Sequence, residues 1–404
     1  MLLPGEYVSH PSEGVIRRAH HHSGQRAGCW SAYLWLAVAL GMEVGLLSHP
    51  AWGQRPGERI YAFLDLPVAP RLAGLGGKTP ALVGLPEPAL AVYNPALASR
   101  AIDRCVAIGY TPYFAGTHYN NMAYFQSLGS WGSWGVSVRQ LWYGRFVARD
   151  EQGAAEGSFT AYDLAIGAHY AFAPMRGLSI GLTISPILSL IGGYGSVGLT
   201  ADVGAVYQMA DGLLAFGVLA RNLGGAFKHY GPYEDDWASF ELLAGMSLTL
   251  RHAPLRFVLT LQHLETWNAR RIPREDYYPA VGDGRSDEQL PSTWQRIYME
   301  ALAHPILGVE VLPGRYFYLQ VGFNPSQIQT MSQNGAFGLA GLSYGAGVHY
   351  RRFALRYARS HSHFRGATHH VSLFINLAPH GTTERLPLAT DLDVEPPINI
   401  KTDE

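Results

Sequence analysis

The chain has 404 residues, of which 48% are hydrophobic and only 15% are charged, and its net charge is −1. Soluble domains carry about 25% charged residues, so we expect part of this surface to face something other than water. The balanced charge gives no electrostatic footprint for nucleic acid, and two cysteines cannot form a disulfide framework.

The first 53 residues are typical of an N-terminal extension followed by a signal peptide. Three arginines precede an apolar core at residues 30–40, and a small-x-small cleavage pattern stands just before Gln54. This arrangement predicts export and removal of residues 1–53. Cys29 would leave with the signal, so Cys105 would remain as an unpaired cysteine, which we expect to be a small apolar residue at a strand start.

Residues 54–103 follow the signal, and their main part mixes proline, glycine and apolar residues without alternation. We expect this stretch to fold as a plug or hatch segment inside the lumen of a barrel. The alternative is a loose periplasmic leader.

From residue 104 onwards, apolar residues repeatedly alternate with small or polar ones. In residues 178–185, leucine and isoleucine alternate with serine, glycine and threonine. A strand turns two such sets to opposite faces. Beyond Gln54, no apolar run free of glycine and proline approaches the ~20 residues that a spanning helix needs. Two all-β folds therefore remain, a soluble sandwich and a transmembrane barrel.

The second face of the strands decides between these folds. A transmembrane barrel has lipid-facing apolar residues and a polar interior, and it must close because an open edge would leave backbone groups unpaired in lipid. The second face here carries glycine, serine and threonine with isolated charges at Arg139, Asp163, Asp202 and Arg221. The sequence predicts an all-β fold, a transmembrane antiparallel β-barrel over residues 104–377. Residues 378–404 are predicted to be a flexible acidic, proline-rich tail.

The alternation predicts about 14 strands. They are expected at residues 104–114, 118–128, 133–146, 158–172, 177–188, 197–209, 213–222, 239–250, 255–267, 304–312, 315–324, 336–348, 353–361 and 368–377. The aromatic residues expected near strand ends, as interfacial girdles, are Tyr110, Tyr113, Phe114, Tyr119, Tyr124, Phe125, Trp131, Trp134, Trp142 and Tyr143. Tight connections are predicted at residues 174–177, 211–212, 252–254 and 313–314. The longest connection, residues 268–303, is expected to be a binding or lid segment.

Two motifs near the N-terminus carry a family resemblance. Residues 60–77 read IYAFLDLPVAPRLAGLGG, and residues 90–97 read LAVYNPAL. Together they resemble the mature N-terminus of PorQ proteins of the type IX secretion system. Further matches in the same order are YGRF at 143–146, DEQG at 150–153, GLTADVG at 198–204, RNLG at 221–224, HAPLRF at 252–257 and GVEVLP at 308–313. The resemblance extends from about residue 59 to residue 377.

The resemblance implies an outer-membrane barrel of the fatty-acid-transporter (FadL-like) type, with no enzyme activity and with no catalytic, cofactor-binding or metal-binding residues. It implies a place in the cell-surface attachment machinery of Bacteroidetes. There such barrels hold a PorZ-like surface protein beside a PorU-like sortase and a PorV-like shuttle barrel. Outer-membrane lipid, with lipopolysaccharide as a candidate, is a further expected contact.

From these features we expect a non-enzymatic outer-membrane component of type IX secretion that anchors a surface partner. The alternative is a FadL-like transporter of hydrophobic small molecules, gated by the N-terminal segment. A soluble sandwich enzyme is the third option. A lumen filled by the segment and by side chains would favour anchoring, whereas a continuous apolar path to an opening in the wall would favour transport.

Other motifs are interpreted as structural. GYGSVG at residues 193–198 has dinucleotide-fingerprint spacing, but the following residues alternate like a strand, so we expect hairpin glycines. His361, His363, His369 and His370 lie around one predicted hairpin, where no cysteine or clear carboxylate set completes a metal site, so an exposed polar loop is expected. A solvated loop is expected at Asp235 and Asp236. Arg139 and Asp163 could pair across the lumen.

Overall fold

The computed structural model of the protein describes residues 60–98, 102–150, 152–209, 212–231, 237–266, 302–314, 316–327, 339–363 and 366–378. The predictions on the signal peptide, on Asp235 and Asp236 and, apart from residues 302–303, on the 268–303 connection fall outside these described residues. So does the prediction on the tail, except for its first residue.

Fourteen antiparallel strands close into one barrel in which each strand pairs with its neighbours in sequence and the first pairs with the last. They are β1 Cys105–Pro112, β2 His118–Ser127, β3 Ser133–Arg149, β4 Ala155–Met175, β5 Leu178–Ile191, β6 Tyr194–Met209, β7 Leu214–Lys228, β8 Glu241–Thr249, β9 Leu255–Leu261, β10 Pro305–Val311, β11 Phe317–Phe323, β12 Leu342–Tyr350, β13 Phe353–His363 and β14 Gly366–Asn376. The predicted fold class and number of strands are confirmed.

The alternation of the sequence becomes the inside and outside of the barrel. On β5, Thr183 and Ser185 are buried, whereas Leu182 and Ile184 are 42% and 44% exposed. The other strands also alternate between buried inner and exposed outer residues, although some inner residues, such as Leu219, Leu243 and Phe374, are large and apolar. A closed sheet with an apolar outer face is the arrangement in which β-structure crosses a lipid bilayer. Within the described ranges, no helix has the length and apolar character to cross a membrane.

The predicted aromatic girdles are correct only in part. Tyr110, Trp131 and Trp142 are exposed on the outside. Tyr119 and Phe125 are fully buried, so their assignment to a girdle is wrong. The physical reason is strand parity, because both residues share the inward face with buried residues of the same strand and help to fill the lumen.

The two ends of the barrel differ in their connections. At one end, here called the turn end, the connections are residues 128–132, 176–177, 210–213, 250–254, 312–316 and 351–352. At the other, the loop end, they are residues 113–117, 150–154, 192–193, 229–240, 262–304, 324–341 and 364–365. All four predicted tight connections fall at the turn end.

The wall is tallest along β3 to β7. These strands have 14 to 21 residues, whereas β9, β10 and β11 have seven each. The β3–β4 hairpin therefore projects at the loop end. A β-bulge between Trp142 and Gly144 precedes the projecting part.

Residues 60–98, here called the N-terminal segment, lie inside the barrel. The segment contains two short helices, α1 (Pro70–Gly74) and α2 (Pro88–Tyr93), and two 3-10 turns. It begins at the loop end, where Ile60 forms a parallel bridge with Ala238. Its apolar residues form much of the buried core, for example Phe63, Leu72 and Leu90. The contacts described below fix its position; that it acts as a plug or hatch stays a prediction.

Candidate functional site

The lumen holds the candidate site, which is the contact between the N-terminal segment and the inner face of the barrel. Glycines on the wall make this close approach possible. A Cβ atom on Gly204 would overlap the Asn94 side chain, and one on Gly181 would overlap the backbone of Pro95 and Ala96. Gly322 receives the backbone of residues 75–76 in the same way. The inward glycines therefore form a surface against which the segment's backbone packs.

Asn94 fixes the turn that lies on these glycines. Its Nδ2 donates to the carbonyl of Pro80 at 2.7 Å, and its Oδ1 accepts from the backbone N–H of Ala96 at 3.1 Å. Asn94 thereby caps the 3-10 turn Pro95–Leu97 and ties it to an earlier part of the segment. The Asn-Pro-Ala element thus connects two parts of the segment, the one at Pro80 and the one at Ala96.

A first group of buried charges joins α1 to the wall near the turn end. Arg71 Nε donates to Glu310 Oε1 of β10 at 2.6 Å, and Arg256 Nη1 of β9 donates to Glu310 Oε2 at 3.0 Å. Arg71 also lies 3.6 Å from Glu87, which in turn lies 3.2 Å from Arg356 of β13. Two carboxylates and three guanidinium groups therefore link the segment to three strands.

Arg71 remains charged although it is buried. Burial alone would lower its pKa, but the nearby Glu310 carboxylate, Tyr318 and Glu87 outweigh that effect and raise the pKa above its ordinary value. Its guanidinium also lies 4.0 Å from the ring centroid of Tyr318. Two carboxylates and one aromatic ring therefore surround the Arg71 guanidinium.

A second group of charges lies nearer the loop end. Lys78 forms a short ion pair with Glu241 of β8, and Arg221 of β7 lies 3.6 Å from the same carboxylate. Arg221 Nη2 also donates to the carbonyl of Leu64 at 2.7 Å. The segment is thus held at two levels of the lumen. Truncating one partner of a buried ion pair generally costs about 3–5 kcal/mol, because the other charge is left unpaired.

The histidines near β13 and β14 do not form the exposed loop that was expected. His369 and His370 are strand residues, and His370 is buried, where it contacts the hydroxyl groups of Thr111 and Ser360. His361 Nδ1 lies 3.1 Å from the carbonyl of Leu342. His370 is buried because it occupies an inward-facing position of β14, in line with Thr368 and Ser372. Across the described ranges, no group of three or more His, Cys, Asp or Glu is placed to hold a metal ion.

The remaining sequence motifs are also accounted for. Residues 192–193 make the turn after β5, and Gly195 and Gly198 lie within β6, so a strand follows where a nucleotide site would need a helix. Only the first part of the motif is therefore a hairpin turn. Asp163 accepts hydrogen bonds from Tyr143 and Ser189, and not from Arg139. Cys105 is buried at the start of β1.

A further buried histidine, His169 of β4, lies on the inner face of the wall. His169 Nε2 is 2.7 Å from Ser137 Oγ, and its Nδ1 is 2.8 Å from Thr183 Oγ1. A serine beside an imidazole is the beginning of a nucleophile arrangement. All three side chains are buried and the third partner is a threonine, so the group satisfies polar atoms inside the lumen.

Sequence reasoning missed the ion-pair residues Arg71, Glu87, Glu310, Arg256 and Arg356. The sequence does carry one signal for the ion-pair residues on β9 and β10. Arg256 and Glu310 interrupt strands of apolar and small residues at positions with inward parity. Their partners could not be read from the sequence, since Arg71 and Glu310 are 239 residues apart.

A shallow hollow lies between residues 67–70 and strands β1, β2 and β14. Its empty volume is about 140 Å³, including space open to solvent, and His370 and Thr111 are among its lining residues. Pockets for small molecules have volumes of about 300–1,000 Å³. This hollow is therefore too small for a ligand of that size.

No protein-family model matches the sequence, and a comparison with curated protein sequences finds no significant match. Several solved structures are similar in fold. The P. putida toluene transporter TodX is 12% identical with a TM-score of 0.46, covering 78% of this chain and 100% of that one. The Ralstonia pickettii toluene transporter TbuX is 13% identical with a TM-score of 0.44, covering 77% and 97%. A Pseudomonas aeruginosa FadL homologue is 10% identical with a TM-score of 0.40, covering 77% and 98%.

Proposed function

We propose that the protein is a non-enzymatic outer-membrane barrel whose lumen is plugged by the N-terminal segment, and that it anchors a partner at the cell surface. The observation that carries this proposal is the double attachment of the segment. Arg71 forms a buried ion pair and Lys78 a half-buried one with the wall at two levels, and the segment's backbone packs on inward glycines. A plug held in this way favours a closed barrel that works through its exposed ends.

The shape of the barrel supports an outer-membrane location. Bacterial outer-membrane barrels have an even number of strands, with short turns on the periplasmic side and longer loops outside. This barrel has fourteen strands. Every connection at the turn end has five residues or fewer, and the three longest connections, 229–240, 262–304 and 324–341, are all at the loop end. The loop end would then face the cell surface. The predicted export signal agrees with this location.

The finer assignment rests on the sequence resemblance to PorQ proteins. It makes the chain a component of the type IX secretion system that holds a PorZ-like surface protein, with a PorU-like sortase and a PorV-like shuttle barrel in the same complex. The comparisons with known proteins supply no support for this assignment. It therefore depends on the motifs at residues 60–77 and 90–97 and on the closed lumen.

A second candidate is a FadL-like transporter of hydrophobic small molecules in which the N-terminal segment is a gate. The fold neighbours are named as toluene transporters and a FadL homologue, and these names agree with transport better than with anchoring. One feature of this chain also favours it. Backbone pairing between β1 and β14 extends only to Tyr110 and Val371, and beyond this point Thr111 and His370 meet through their side chains. The backbone pairing of these two strands therefore stops beside the shallow hollow.

Affinity purification separates the two functions. The tagged full chain is extracted from outer membranes in mild detergent, and the purified barrel is also placed in a planar lipid bilayer. Anchoring predicts that a surface protein and secretion components co-purify and that the barrel shows no conductance. An intact barrel that brings down no secretion component but carries fatty acid would overturn anchoring and support transport. A variant lacking residues 268–303 tests whether that connection holds the partner.

A further inference from the structure

The projecting β3–β4 hairpin has one open edge. Pairing between β2 and β3 ends at His118 and Trp142, whereas β3 continues to Arg149. The β1–β2 connection covers only the start of this extension, because Gly116 O would lie 3.6 Å from a Cβ atom on Gly144. Residues 145–149 therefore have β4 on one side and, within the described part of the chain, no strand on the other.

The backbone groups that face this edge can be identified from the hydrogen bonds of β4. Thr160 accepts at its carbonyl from Gly192 N–H, so its backbone groups point towards β5 and away from β3. Thr160 is paired with Arg145, which must then direct its own N–H and C=O away from β4. Alternation gives Val147 the same direction. The open edge thus presents two N–H and two C=O groups.

We propose that this edge is a docking site for an extended strand of a partner protein, which adds to β3 by β-augmentation. Main-chain hydrogen bonds to Arg145 and Val147 would supply the affinity, as in other complexes of this kind. Unpaired strand edges are templates for such pairing. This inference deepens the anchoring proposal and rests on it for the presence of a surface partner.

The side chains at the open edge determine which residues a docking strand needs. Arg145 pairs with Thr160 on the outer face, while Phe146 stacks with Phe159 on the inner face at a centroid distance of 5.4 Å. No carboxylate in the described ranges forms an ion pair with Arg145, and Asp150 instead accepts from the N–H groups of its own loop. A matching strand therefore alternates acidic residues, opposite Arg145, with apolar residues, opposite Phe146.

A second copy of the chain fits this edge less well. In an antiparallel pair centred on Val147, Arg145 of each copy would lie opposite Arg149 of the other. Like charges directly opposite each other destabilise a strand pair. The arginines thus disfavour pairing between two copies while they favour an acidic strand.

Val147→Pro tests the proposal in the purified full chain. Proline removes the N–H that faces the edge, and an edge position tolerates it because that N–H is not part of the β3–β4 ladder. Val147→Thr is the matched control, because it keeps the N–H and the β-branched shape. The probe is a short capped peptide that alternates glutamate with valine or phenylalanine. A peptide with lysine in place of glutamate is the charge-reversed control.

We expect the wild type and Val147→Thr to bind the glutamate peptide, with at least tenfold slower amide exchange at Arg145 and Val147. Val147→Pro should bind at least tenfold more weakly, and Arg145→Glu should prefer the lysine peptide. Equal binding by Val147→Pro, or no binding by the wild type, would overturn the edge site. Dimers that disappear in Val147→Pro would overturn it in favour of a second copy.

The same variants keep this inference separate from the proposed function. If a surface protein co-purifies equally with the wild type and with Val147→Pro, anchoring stands and the edge is not its site. If the glutamate peptide binds the wild type and not Val147→Pro while no surface protein co-purifies, the edge site stands and anchoring fails.

Discussion

Glu310 is the residue on which the attachment of the N-terminal segment most depends. It accepts from Arg71 of the segment and from Arg256 of the wall, and all three side chains are buried. Removing the carboxylate in Glu310→Ala leaves two guanidinium groups without their shared partner. We expect a loss of about 3–5 kcal/mol in the free energy of unfolding, measured by denaturant titration in detergent micelles.

Glu156→Ala is the control for this prediction. Glu156 is exposed near the tip of the β3–β4 hairpin, so its removal should change the free energy of unfolding by no more than about 0.5 kcal/mol. If Glu310→Ala unfolded at the same denaturant concentration as the wild type, the ion pairs would not hold the segment.

Gly204 tests the close packing of the segment in a different way. A methyl group at this position would overlap the Asn94 side chain, so Gly204→Ala must displace the turn that Asn94 caps. Overpacking of this kind costs about 1–3 kcal/mol. Limited proteolysis should then cut the segment faster than in the wild type. Gly193→Ala, where no atom lies within 4 Å, should leave the cleavage rate unchanged.

At the scale of the strand, alternation carries most of the predictive information. All fourteen strands were predictable because lipid outside and a packed lumen inside impose different residue types on the two faces. The loop-end boundaries of β3 to β7 were placed too short, by six residues on β7. On the projecting part of β4, residues 155–159 are exposed on both faces, so alternation is lost there.

The partners of the strand residues were not predictable in the same way. The wrong environments assigned to Tyr119, Phe125 and His370 all concern inward residues that are larger than the usual small or polar ones. The path of the N-terminal segment through the lumen has no periodic signal in the sequence either, so it could not be predicted. The same holds for the charges, since Arg71 and Glu310 are 239 residues apart in the sequence.

The free-energy cost of placing a charge on the outer face of a strand should depend on its depth in the bilayer. Ile184 lies in the middle of β5 and is exposed on the outside. Ile184→Arg should destabilise the barrel by about 2–4 kcal/mol in lipid vesicles, the cost of an arginine at the bilayer midplane. Ser158→Arg, at an exposed outer position on the projecting part of β4 opposite Val147, should have an effect of at most about 1 kcal/mol. Equal costs at both sites would contradict the assigned membrane position.

The whole molecule combines a closed wall with an internal segment that connects the two ends. The segment starts beside Ala238 at the loop end, and the chain then enters β1 at the turn end. Its own ion pairs reach β8, β10 and β13, so the segment joins distant parts of the wall. A displacement of the segment would therefore break contacts on several strands at once.

The orientation of the barrel gives a prediction for intact cells. Gln152 lies in an exposed loop-end connection, and Ser130 lies in an exposed turn at the other end. A membrane-impermeant maleimide should label Gln152→Cys in intact cells, and Ser130→Cys only after the outer membrane is permeabilised. The native Cys105 is buried and should contribute little background. Labelling of Ser130→Cys alone in intact cells would mean that the turn end faces outward, and equal labelling of both would mean that the barrel does not separate two compartments.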